Sequence, residues 1–166
     1  MQRKPTRGWD PESTPAFWIN RASRTLVRHF DARLRPFGFA MSHLPVLGAL
    51  ADGRSLSQTA LAEAARVEQP TMAETLTRMT RDGVVQREPN PEDRRASLIS
   101  ITPRARARFG KAIAALVEGE REAMAGFSAR EKAVLRTLLR RVVSNLENAS
   151  HKAESERRSR KPRPVL

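Results

Sequence analysis

Residues 57–102 read SQTALAEAARVEQPTMAETLTRMTRDGVVQREPNPEDRRASLISIT, and the pattern in this stretch decides the fold. Ser57 is a helix-capping type, and Ala60, Leu61, Ala64 and Ala65 give the brief helix Gln58–Ala65 a small apolar surface suited to close packing. A turn of only Arg66, Val67 and Glu68 follows, and Pro70 then stands in a first helical turn, where its missing N–H costs nothing. Met72, Thr75, Leu76 and Met79 recur at helical spacing until Gly83 ends the run. Two helices joined this tightly predict a helix-turn-helix. Val84, Val85 and Arg87 then face Ser97 to Ile101 across the polar loop 88–96, which predicts a hairpin, with Pro89 and Pro91 keeping the loop from pairing as strand.

Working outward, the residues before and after this module read as helices. Ser13 or Thr14 caps the first, Pro15 lies in its first turn, and Phe17, Ile19, Ala22, Leu26, Phe30 and Leu34 form its apolar face up to Pro36. A shorter helix runs from Ser42 to Leu50 and closes at Asp52-Gly53. Thr102 and Pro103 open a long helix, and Ser128 with Glu131, at capping-box spacing, opens the last one, which holds Val134, Leu135, Leu138, Leu139, Val142, Val143 and Leu146. The expected fold is mainly α with a small β-hairpin wing. It divides into an arm over 1–12, a domain over 13–148 and a basic tail over 149–166, both ends being too polar to offset their ordering entropy. Within the domain, 40–102 is the winged module, and 13–37 with 103–148 are the outer helices.

Composition narrows the function. The 166 residues carry 31 Lys and Arg against 18 Asp and Glu, a formal charge of +13, which favours a polyanionic partner through counterion release. Residues 57–102 are nevertheless close to neutral, with six arginines against seven carboxylates, so local placement has to identify the contact surface. The absence of cysteine excludes disulfides, thiolate metal sites and thiol redox sensing, and His29, His43 and His151 are too scattered in sequence to suggest a metal site. No apolar run is long enough for a membrane span and none resembles a signal peptide, so a cytoplasmic protein without membrane contact is expected. A phosphate loop, a nucleophile with an ordered base and a pair of cleft carboxylates are all missing, so no enzymatic activity is expected.

In a helix-turn-helix the second helix enters the major groove with its N-terminal residues at the base edges. Gln69, Thr71, Glu74, Thr77 and Arg78 lie opposite its apolar residues and are the candidate reading surface. Gln69 suits adenine, Thr71 a thymine methyl, and Glu74 either cytosine or an arginine that it orients. Arg87 and Arg94 are candidate phosphate contacts, and Arg95 at the hairpin tip, steadied by Asp93, is a candidate for the adjacent minor groove.

Asp93, Arg95, Ile101 and Thr102 stand at the spacing D-x-R-x(5)-L-T, with Ile in the Leu position, and Gly83-Val84-Val85-Gln86-Arg87 leads into that hairpin. On these residues the chain resembles the MarR (multiple-antibiotic-resistance regulator) family of winged helix-turn-helix transcriptional regulators, over residues 14–148. The resemblance implies a homodimer interlocked through its first and last two helices, acting as a ligand-responsive repressor on a palindromic operator in double-stranded DNA. It places Gln69, Thr71, Glu74 and Arg78 on the groove-reading surface and Asp93 with Arg95 on the wing. Acidic Glu68 and Glu74 depart from a phosphate-binding surface. The long outer helices also argue for a dimer without the family, because their apolar stripes need cover. No cofactor is expected beyond a small aromatic or anionic effector, for which Trp18, Arg21 and His43, near Phe17, Phe39 and Met41, are candidate contacts. Two other readings stand beside this one: a basic helical RNA- or ribosome-associated protein, and an interaction scaffold without DNA binding.

Overall fold

The computed structural model describes residues 10–91 and 97–159. Nine main elements follow in order: α1 (Pro15–Leu34), α2 (Leu44–Ala49), β1 (Leu56–Ser57), α3 (Gln58–Ala65), α4 (Gln69–Arg81), β2 (Val85–Pro89), β3 (Ser97–Ile101), α5 (Pro103–Ala123) and α6 (Ala129–Ser159). They form two compact units, one ending at Ala123 and one beginning at Met124.

Capping chemistry sets the helix starts. Thr14 Oγ1 accepts the Phe17 N–H at 3.4 Å, Ser57 Oγ the Ala60 N–H at 3.2 Å, and Thr102 Oγ1 the Ala105 N–H at 3.1 Å. In the second unit, Ser128 and Glu131 satisfy each other's backbone N–H groups in a full capping box that opens α6. Arg66, the last turn residue of α3, adopts φ 53°, the left-handed conformation that ends the helix and starts the short turn into α4.

The first unit has one core. Leu34 of α1, Val46 and Leu47 of α2, Leu61 of α3, Met72, Leu76 and Met79 of α4, and Val84, Val85 and Ile99 of the sheet region are all essentially inaccessible to solvent. Helix α1 lies on α5, where His29 meets the Gly119 carbonyl at 3.1 Å and Arg33 pairs with Glu122. Gly119 is needed for that approach, because a Cβ there would sit 2.8 Å from Arg33 Cδ and 2.9 Å from Phe30 Cε1. Thr102 fastens α5 to the end of α4: its hydroxyl donates to the Gly83 carbonyl at 2.8 Å and its N–H to Val84 at 3.1 Å.

Four expectations change. The sheet has three antiparallel strands in the order β1-β3-β2, since Leu56 pairs with Ile99 and Ser57 with Leu98. Pro89 does not stop the strand; it pairs with Ser97, which an edge strand allows because the missing N–H is not required by a second neighbour. Residues 10–12 are part of the start rather than of a loose arm: Pro11–Ser13 form a single 3-10 turn, and the Glu12 carbonyl accepts the Trp18 indole N–H at 2.8 Å. Helix α6 passes the expected boundary at 148 and runs to Ser159, since extending a nucleated helix through Ala, Glu, Lys and Arg is favourable even without burial. The arm over 1–9 and the tail beyond 159 lie outside the described residues.

Candidate nucleic-acid interface

Helix α4 divides cleanly into two faces. Met72, Leu76 and Met79 recur every three or four residues and are buried, so at about 100° per residue the opposite side passes through Glu74, Thr77, Arg78 and Arg81. Those four are exposed, as are Gln69 and Thr71 at the helix start. The structure therefore brings Gln69, Thr71, Glu74, Thr77 and Arg78 onto the accessible side of one helix. Arg81 belongs with them and escapes sequence reasoning because it sits beside the terminating Asp82-Gly83. Its Nε donates to Asp82 Oδ1 at 2.9 Å, and this hydrogen bond holds the Asp82 carboxyl below its ordinary range.

The hydrogen bonds on this helix shape what it can offer. Thr77 donates its hydroxyl to the Ala73 carbonyl at 2.8 Å, so its remaining capacity is as an acceptor and a methyl surface. Glu74 stands one turn before Arg78 without an ion pair between them, so the arrangement in which Glu74 orients an arginine is not formed within α4. At the start of the helix, Gln58 Nε2 of α3 donates to Gln69 Oε1 at 3.5 Å.

Arg87 is exposed on β2 and sits in register with Ile99. Asp93, Arg94 and Arg95 lie outside the described residues. Two further arginines that sequence reasoning passed over line the turn before β1: Arg54 pairs with Asp52, and Arg106 of α5 lies against Gly53, 3.3 Å from where a Cβ would stand.

The three expected effector contacts do not form one group. Arg21 lies 5.5 Å over the exposed Trp18 ring, and Trp18 meets Phe17 edge to face. His43 is buried instead, its Nδ1 accepting the Ala40 N–H at 3.3 Å, with Asp31 of α1 and Asp82 and Arg78 at the end of α4 as its charged neighbours. Burial is the main cause that pushes its pKa below the ordinary 6.5. Phe39 is also core, edge-on to Phe109 and beneath Arg108. A groove of about 550 Å³ runs beside Arg21, Ser23, Arg24, Thr25, Val27 and Arg28, and it includes neither Trp18 nor His43. Among the described residues, no group of three or more His, Asp or Glu is placed to hold a metal, and no helix is long and apolar enough to cross a membrane.

A helix-turn-helix with an exposed second helix and a strand pair behind it is shared with known proteins. The model of the MarR family matches residues 37–96, which include α2, β1, α3, α4 and β2. Over these residues the chain is similar to the MarR family. A curated relative is an uncharacterized HTH-type transcriptional regulator, YwoH of Bacillus subtilis, 29% identical over 122 residues that cover 74% of this chain and 88% of YwoH. Among solved structures, a probable transcriptional regulator from Pseudomonas aeruginosa superposes with a TM-score of 0.71 at 26% identity, covering 80% of this chain and 99% of that one. A cysteine-to-serine mutant of MarR from E. coli, complexed with operator DNA, shares the fold with a TM-score of 0.69 at 23% identity over 79% of this chain and 95% of its own. YwoH and the Pseudomonas aeruginosa protein are both described as transcriptional regulators.

Proposed function

We propose that this protein, like the MarR-family regulators it resembles, binds double-stranded DNA as a homodimer on a palindromic operator and represses transcription by occluding it. The observation that supports this most strongly is the two-faced α4: its apolar side is consumed by the core, and its outer side presents Gln69, Thr71, Glu74, Thr77 and Arg78 exposed to solvent. Arg78, Arg81 and Arg87 position the duplex by phosphate contact, and the polar residues read base edges. Asp93, Arg94 and Arg95 carry the wing contact, with Arg95 in the minor groove. The strands hold no aromatic side chain on which an unpaired base would stack, which disfavours the RNA reading.

Homodimerisation is supported by α6, where Val134, Leu138, Val142 and Leu146 are 50, 45, 37 and 63% exposed along one face. A helix with such a stripe is covered in solution by a partner. The effector reading rests on Trp18 with Arg21, a flat apolar surface beside a guanidinium, suited to an aromatic acid. Titration with phenolic acids while following Trp fluorescence tests it, and no response across a broad panel removes it.

Selection of bound duplexes from a random pool tests the function as a whole. The expected result is an enriched palindrome whose half-sites are centred about one helical turn apart (roughly 10 base pairs). Recovery of no sequence, or a preference for single strands, contradicts it. On the enriched duplex, Arg95→Ala is expected to weaken binding at fixed salt without changing the oligomeric state; an unchanged affinity contradicts the wing assignment.

A further inference from the structure

Gln58 and Gln69 each occupy the first position of a helix, in α3 and α4, and the two side chains meet through Gln58 Nε2 and Gln69 Oε1 at 3.5 Å. Neither belongs to the core that joins these helices, which uses Leu61, Met72 and Leu76: Gln69 is exposed and Gln58 is half-buried. The contact therefore contributes little to the fold, and its value has to be sought in what it does to Gln69.

An exposed glutamine has three rotatable side-chain torsions, and its terminal amide turns over readily, so either end can face outward. Bidentate reading of a base edge needs one particular orientation. We propose that Gln58 is a positioning residue for base recognition, holding the Gln69 amide with Oε1 toward α3 and Nε2 outward, so that Gln69 is set to select adenine. The proposal rests on the DNA-reading function above and adds a residue and a base preference to it. The donor and acceptor count supports it. Gln58 uses one lone pair of Gln69 Oε1 and leaves the other to accept from adenine N6, while both Nε2 hydrogens stay free, one of them for N7. Guanine offers acceptors at both N7 and O6, so the same held amide would bring two acceptors together at one of the two contacts. Fixing the amide beforehand also removes part of the ordering cost of binding.

The test uses the full chain and the duplex recovered by selection. Affinities of the wild type, Gln58→Ala, Gln69→Ala and the double variant are measured on that duplex and on versions with each A·T pair replaced by G·C. At one A·T position Gln69→Ala is expected to weaken binding roughly tenfold. Gln58→Ala is expected to weaken it about three- to fivefold, the range of one net hydrogen bond. The double variant is expected to be no weaker than Gln69→Ala, the three variants to bind the G·C version at least as well as the wild type does, and all four proteins to have coincident thermal midpoints. A structural role for Gln58 would lower affinity on both duplexes equally, and that result overturns the proposal. So does a Gln58→Ala variant that matches the wild type on the A·T duplex, or a Gln69→Ala variant with no base-specific loss at any position. Recovery of no enriched duplex overturns the DNA-reading function itself, and this inference with it.

Discussion

Helices α4 and α6 share one kind of sequence pattern, apolar residues every three or four positions, and meet opposite fates. In α4 the apolar side chains Met72, Leu76 and Met79 are 1, 0 and 0% exposed, whereas in α6 the corresponding stripe over 134–146 faces solvent in the single chain. Periodicity states that a face must be covered; it does not state by what. The winged module finds its cover within about 80 residues of sequence, from Leu34 to Ala112. The stripe on α6 is exposed in the single chain, and the proposed homodimer would give it a cover.

The contrast can be broken most sharply at Leu76. Leu76→Ala should destabilise the folded chain by about 2–5 kcal/mol, the usual cost of a fully buried leucine, measured by chemical denaturation. A loss below about 1 kcal/mol would mean that α4 is not held by its core. Val142→Glu addresses the other helix. It should weaken self-association at least about tenfold by sedimentation, because a carboxylate is desolvated in the contact, and leave the winged module's own unfolding intact. Equal effects on both measurements would erase the distinction between the two helices.

Smaller effects sharpen the α4 side. Ser57→Ala removes the cap of α3, which supports α4, and should cost about 1 kcal/mol. His43 lies against the end of α4 and is buried with a pKa below the ordinary 6.5, so folding favours its neutral form. Its contribution is complete above pH 6.5 and is lost as the pH falls below that value, through the lowered native pKa, because the unfolded chain takes up the proton first. Denaturation midpoints at pH 7.5 and 5.5 should therefore differ less in His43→Gln than in the wild type; identical slopes would remove His43 from the account. Arg54→Ala, which deletes the fully exposed pair with Asp52, should leave the midpoint unchanged.

How much of this is legible in the sequence depends on the range of the interaction. Caps are local, so Ser57, Thr102 and the Ser128–Glu131 box mark helix starts that the structure keeps. Strand β1 has two residues, too few to show a period, and exists only because β3 has a free edge for Leu56 and Ser57. Pro89 reads as a breaker until its strand is known to be an edge. His43 reads as a pocket residue because its burial depends on α1 and α4 both packing on the turn that carries it, which no local pattern encodes. The contact between Gln58 and Gln69 spans eleven residues and a turn, so the residues are visible in the sequence and their pairing is not.

Reading of the major groove by the outer face of α4 is tested most directly on the DNA itself. Replacing the purines of the selected duplex one at a time by their 7-deaza analogues removes the N7 acceptor on the major-groove edge and leaves base pairing and the minor groove intact. The account predicts losses of roughly tenfold at one or more purines in each half-site. Affinity unchanged at every purine would contradict it.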